Sequence, residues 1–76
     1  MNPLMEVATL KLNRMMGEHK GQEILQRTLQ SLGLNAINTA DELRKFADAL
    51  ATREQGLVRM IGLSLRTEAL LRGAKL

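Results

Sequence analysis

The sequence predicts an all-α fold in a single domain over residues 1–76, with four short helices or with three helices and a long last one. Hydrophobic residues make up 45% of the chain and aromatic residues only 1%. The core must therefore consist of aliphatic residues and Met, a composition that suits packed helices. Apolar residues also recur at helical spacing, and capping residues and glycines divide this pattern into segments.

The first helix is expected to begin at Asn2 and Pro3 and to end near Met16. Asn is a favoured cap residue. Pro suits the first helical position because an amide there makes no hydrogen bond within the helix, so the missing N–H of Pro costs nothing. One face carries the apolar residues Leu4, Met5, Ala8, Leu12, Met15 and Met16. Gly17 and Gly21 interrupt this pattern, which is why the first helix is expected to end near Met16.

The second helix is expected to run from about Gly21 to Leu32. Its apolar stripe consists of Ile24, Leu25, Thr28, Leu29 and Leu32. Gly33 is placed to end the helix in the left-handed conformation, with Leu34 folding back on Leu29.

The third helix is expected to start at Thr39. Thr39 and Glu42 have the spacing of a capping box, in which each side chain binds the backbone amide of the other residue. The expected buried face consists of Ala40, Leu43, Phe46, Ala47, Leu50 and Ala51. The connection at residues 33–38 is longer than the three or four residues of a helix-turn-helix, and acidic Asp41 and Glu42 would repel phosphates. A corner in a helical bundle is therefore favoured over a DNA-reading element.

The fourth helix is expected over roughly Arg53 to Arg72, ending at Gly73. Its start is ambiguous in the sequence. Thr52 and Gln55 have the spacing of a second capping box, whereas Gly56 would suit the end of the third helix. A continuous helix through residues 52–56 is a further alternative.

This last helix is apolar on two sides, and such a helix is usually buried centrally or shared between two interfaces. One side carries Leu57, Met60, Leu63, Leu70, Leu71 and Ala74. The other carries Val58, Ile61, Leu65 and Ala69. Arg59 and Arg66 form a basic stripe between them, since they lie about 20° apart on a helical wheel.

We expect one side to pack inside the chain and the other to contact a second copy, because three short helices can hardly surround a fourth. Gly62, Ala69 and Gly73 would let another helix approach closely. The predicted partner-binding residues are Val58, Arg59, Ile61, Leu65, Arg66 and Ala69. A central helix in a monomer, a groove for a different protein and a membrane-surface helix are the alternatives.

Charge and composition limit the classes of function. The net charge is +3, and the whole excess lies in residues 53–76. The chain has no Cys and one His, which excludes disulfides and multi-Cys or multi-His metal sites. His19 is expected in an exposed connection between helices, without a second base to act with it. No transmembrane segment or secretory signal is recognisable, so a cytoplasmic setting is expected.

The sequence thus favours a small protein–protein interaction module, an adaptor, regulator or assembly subunit, that self-associates through its last helix. Neither catalysis, a cofactor nor a metal is expected. Most Met residues are expected in the core, with a flexible Met-rich groove for a partner helix as the alternative. The alternative function is nucleic-acid binding by a dimer whose two copies of Arg59 and Arg66 form one basic patch.

Overall fold

The computed structural model describes residues 2–75, and most of these residues are helical. The helices follow one another as α1 (Pro3–Met16), α2 (Glu18–Leu32), α3 (Ala40–Arg53) and α4 (Gly56–Leu71). The predicted all-α bundle of four short helices is therefore confirmed. A continuous helix through residues 52–56 does not form, because Glu54 and Gln55 are extended between the last two helices.

The first two helices form a hairpin whose only connecting residue is Gly17. The Asn2 side chain caps α1 by accepting from the amide of Leu4 at 3.0 Å, and α1 ends at Met16 as predicted. The second helix begins at Glu18, three residues before the predicted start. Gly21 lies inside α2, where a Cβ would be 2.9 Å from the backbone nitrogen of Asn13. Close packing of the two helices thus outweighs the weak helix propensity of glycine.

The corner between α2 and α3 is anchored at both ends. Gly33 has φ 71° and ψ 25°, and the Leu34 amide donates to the Leu29 carbonyl at 2.9 Å, so the predicted left-handed stop is confirmed. Ile37, which the periodicity does not assign to the core, has no exposed surface. Its carbonyl accepts from the Asn2 side-chain amide, which ties the start of α1 to the corner.

The third helix begins with the predicted capping box. The Glu42 amide donates to Thr39 Oγ1 at 3.1 Å, and Glu42 Oε1 accepts from the Thr39 amide at 3.2 Å. Of the alternatives for the next helix start, the capping box at Thr52 does not form, since the Thr52 hydroxyl donates to the Asp48 carbonyl at 2.7 Å. Helix α4 begins three residues later than predicted, at Gly56, which has φ 63°.

All four helices and the corner contribute to one hydrophobic core. Its buried members are Ala8, Leu12, Ile24, Leu25, Leu29, Ile37, Leu43, Phe46, Ala47, Leu50, Ile61, Leu65 and Ala69. Helices α3 and α4 run antiparallel, because the Asp41 carboxylate at the start of α3 accepts from the Lys75 amide beyond the end of α4 at 2.9 Å. The fully buried aliphatic and aromatic side chains each stabilise the fold by about 1.5–3 kcal/mol.

Candidate interaction surface

The structure places the apolar residues predicted for partner contact inside the chain. Ile61 is 2% exposed, and Leu65 and Ala69 have no exposed surface. Val58 is half-buried and packs against the same core. The expected contact with a second copy is therefore incompatible with the burial of Ile61, Leu65 and Ala69, whereas half-buried Val58 keeps some exposed surface.

The reason for this orientation is a close contact between α4 and α3. A Cβ on Gly62 would lie 2.6 Å from the backbone nitrogen of Ala51 and 2.8 Å from the carbonyl oxygen of Ala47. Gly62 belongs to the same side of α4 as Ile61 and Leu65, so this side is the one that approaches α3. Gly62 was expected to permit close approach of another helix, and that helix is α3 of the same chain.

The opposite side of α4 faces out. This outward side consists of Leu57, Met60, Leu63, Ser64, Thr67 and Leu71, all of them exposed. Met60 is 65% exposed and Leu71 is 78% exposed. A cluster of large apolar side chains on the surface of a small protein often marks an interaction site. The side of α4 that was expected to contact a second copy is thus largely buried, and the other side is largely exposed.

An open groove runs between this outward side and α1. Its volume is about 520 Å³, and it is lined by Val7, Leu10, Lys11, Arg14, Met15, Leu57, Met60, Ile61 and Ser64. Its lining is mainly apolar, and Lys11 Nζ donates across it to Ser64 Oγ at 2.7 Å. Met15 and Met60 give the groove two flexible, polarisable side chains that can adapt to a bound surface.

The predicted basic stripe is only partly available. Arg59 is exposed, and it forms no salt bridge with residues 2–75. Arg66 Nε lies 3.5 Å from Asp48 Oδ1, and Arg44 Nε lies 3.6 Å from the other oxygen of the same carboxylate. Asp48 therefore offsets part of the positive charge that the alternative nucleic-acid function requires.

The described part of the chain offers few other candidate functional features. His19 is exposed as expected, but it lies in the first turn of α2 rather than between helices. Residues 2–75 contain no group of three His, Cys, Asp or Glu side chains placed to hold a metal ion. Over the same residues, no helix has the length and apolar character needed to cross a membrane.

The chain matches none of the protein-family models, curated proteins and solved structures with which it was compared. The feature of the chain that bears on its function is therefore the groove between α1 and α4. Its two components are an apolar floor and the cationic side chains of Lys11 and Arg14.

Proposed function

We propose that the chain is a small non-catalytic protein–protein interaction module that self-associates through the outward side of α4 together with α1. It acts as an adaptor, regulator or assembly subunit. The observation that carries this proposal is the open apolar groove of about 520 Å³ between α1 and α4. A cytoplasmic location is part of the proposal, because a chain without Cys has no need of an oxidising compartment.

The distribution of residue types supports an interface at this place. The outward side of α4 carries no charged residue between Leu57 and Leu71, while Lys11 and Arg14 lie on the α1 side of the groove. Protein interfaces commonly combine a core depleted of charge with a polar rim. Covering Leu57, Met60 and Leu63 would remove apolar area from water, which contributes roughly 25 cal/mol per Å².

The size of the chain supports a second copy as the partner. Domains with fewer than about 80 residues often need a disulfide, a metal or association to add to a small core. Cys is absent from the chain, which leaves no disulfide. A standard interface covers about 800 Å² on each partner, which is about a sixth of the 4758 Å² surface of this chain.

The test is the mass of the chain in solution, measured by size-exclusion chromatography with light scattering over a wide range of concentrations. We expect a dimer that Met60→Glu dissociates, because the substitution places a charge on the apolar groove. Gln26→Glu is the matched control, since it adds the same charge on the exposed side of α2. A monomer at every concentration, or equal loss of dimer in the two variants, would contradict the proposal.

A further inference from the structure

Three exposed residues form a charged stripe on α1 beside the groove. Glu6, Leu10 and Arg14 follow one another at intervals of four residues, so they share one face of the helix in the order acid, apolar, base. Leu10 is 50% exposed, and Leu10 and Arg14 also line the groove. The stripe is therefore a part of the proposed interface that carries charges of both signs.

The two charges of this stripe have no partners within the described chain. The salt bridges of residues 2–75 include neither Glu6 nor Arg14. They cannot pair with each other, because eight helical residues separate them by about 12 Å along the axis. Lys11, the other cation of the groove, donates instead to Ser64 on α4. The stripe thus offers one acid and one base for contact with another molecule.

We infer that two copies meet by antiparallel packing of their α1 helices about a two-fold axis at Leu10, so that Glu6 of each copy faces Arg14 of the other. This inference rests on the proposed self-association and specifies its register. A two-fold axis requires a self-complementary surface, in which residue i contacts residue j and j contacts i. An acid and a base at equal distances from a central apolar residue meet that requirement.

The order of the charges disfavours the parallel arrangement with the same central residue. If the α1 helices packed in parallel with Leu10 against Leu10, Glu6 would face Glu6 and Arg14 would face Arg14. In the antiparallel arrangement both contacts become opposite-charge pairs, which gives orientation and register to an otherwise apolar contact. Residues at intervals of four form the ridges of the commonest helix packing, whose axes cross at about −50°. Each charge then lies only about 6 Å along the axis from the crossing point, within reach of the long Glu and Arg side chains.

The experiment uses charge reversal at the two positions of the full chain. In Glu6→Arg alone, the introduced arginine faces native Arg14, and in Arg14→Glu alone the introduced glutamate faces native Glu6. An equimolar mixture of the two variants permits a mixed dimer in which every facing pair has opposite charge. We expect each variant alone to weaken the dimer at least about tenfold and the mixture to recover most of that loss.

Two controls separate this register from general effects of charge and folding. Glu23→Arg makes the same change of charge as Glu6→Arg, but at an exposed position of α2. It should leave the dissociation constant of the dimer unchanged. Circular dichroism of each variant should show native helix content, because the substituted side chains are exposed. Dimer constants are measured by sedimentation velocity at fixed ionic strength, since salt screens exposed charges.

The outcomes distinguish this inference from the proposed function. Loss of the dimer in each variant with recovery in the mixture supports the antiparallel register. A wild-type dimer that neither variant weakens, or that the mixture does not restore, overturns the register but leaves self-association intact. A wild-type chain that stays monomeric at every concentration overturns both the register and the proposed self-association.

Discussion

Gly62 in α4 lies so close to α3 that a Cβ at this position would be 2.6 Å from the backbone nitrogen of Ala51. Real Cβ atoms do not approach a backbone nitrogen to this distance, so only glycine fits the contact. This close approach brings the Ile61, Leu65 and Ala69 side of α4 into the core. It leaves Met60 and Leu57 on the surface, where they form part of the groove.

Gly62→Ala is expected to destabilise the fold by about 1 kcal/mol, the difference between the cost of overpacking and the gain in helix propensity. Overpacking a tight contact costs about 1–3 kcal/mol, and this exceeds the gain of up to about 1 kcal/mol from replacing glycine within a helix. Urea unfolding followed by circular dichroism measures the loss. Thr67→Ala is the control on exposed α4, where we expect a change within about 0.5 kcal/mol. Equal or greater stability of Gly62→Ala would contradict the close contact.

The opposite roles of the two sides of α4 predict opposite effects of truncation. Leu65→Ala should cost about 2–5 kcal/mol of unfolding free energy, because it removes buried methyl groups and leaves a cavity. Met60→Ala should change the unfolding free energy of the monomer by less than about 0.5 kcal/mol and should weaken the dimer instead. Unfolding at low concentration and sedimentation at high concentration separate the two effects. Similar loss of monomer stability in both variants would be inconsistent with the burial found here.

The positions of the helix starts predict that two threonines differ in their contribution to stability. Thr39→Ala removes a capping hydroxyl and should lower the unfolding free energy by about 1 kcal/mol. Thr52→Ala removes only a bond to a carbonyl within α3, so we expect a change of less than about 0.5 kcal/mol. Thermal unfolding measures both, and a loss of 1 kcal/mol shifts the midpoint of a chain of this size by about 4–8 °C. A larger shift of the midpoint for Thr52→Ala than for Thr39→Ala would indicate that Thr52 caps a helix, which contradicts the structure.

Local signals in the sequence were sufficient to predict most of the fold. The Asn2 cap, the Gly33 stop and the Thr39 box depend on contacts between near neighbours in the chain, and all three form as predicted. The start of α2 was misplaced because glycine was interpreted as a helix breaker. Gly21 is helical because Asn13 packs against the space that a side chain would fill, and sequence periodicity does not report such a contact between helices.

The proposed interaction surface could be predicted from the sequence only in part. Periodicity revealed that α4 has two apolar sides, but their similar apolar content did not determine which side turns inward. The deciding signal was complementarity between Gly62 and the small residues Ala47 and Ala51 of α3, which depends on the packing of two helices. The α1 side of the groove was missed for a related reason. Leu10 lies outside the core stripe of α1, and a single exposed leucine does not by itself indicate an interface. Only the position of α4 beside it shows that Leu10 lines a groove.

The basic residues of α4 provide a final test, which separates self-association from the alternative of nucleic-acid binding. Arg59→Glu combined with Arg66→Glu should leave the mass of the dimer unchanged, because neither residue lines the groove. Loss of the Arg66 pair with Asp48 should cost less than about 1 kcal/mol, since both side chains are substantially exposed. Circular dichroism and light scattering check the fold and the mass.

The same double variant should not alter the fluorescence anisotropy of a labelled DNA duplex, because we expect no appreciable binding by the wild-type chain at physiological salt. If the two arginines of each copy instead contacted phosphates, a dimer would make four such contacts. The logarithm of its affinity would then fall with the logarithm of salt concentration with a slope of about −3.6. Tight binding with that slope, lost in the double variant while the dimer persists, would replace the interaction-module proposal with the nucleic-acid alternative.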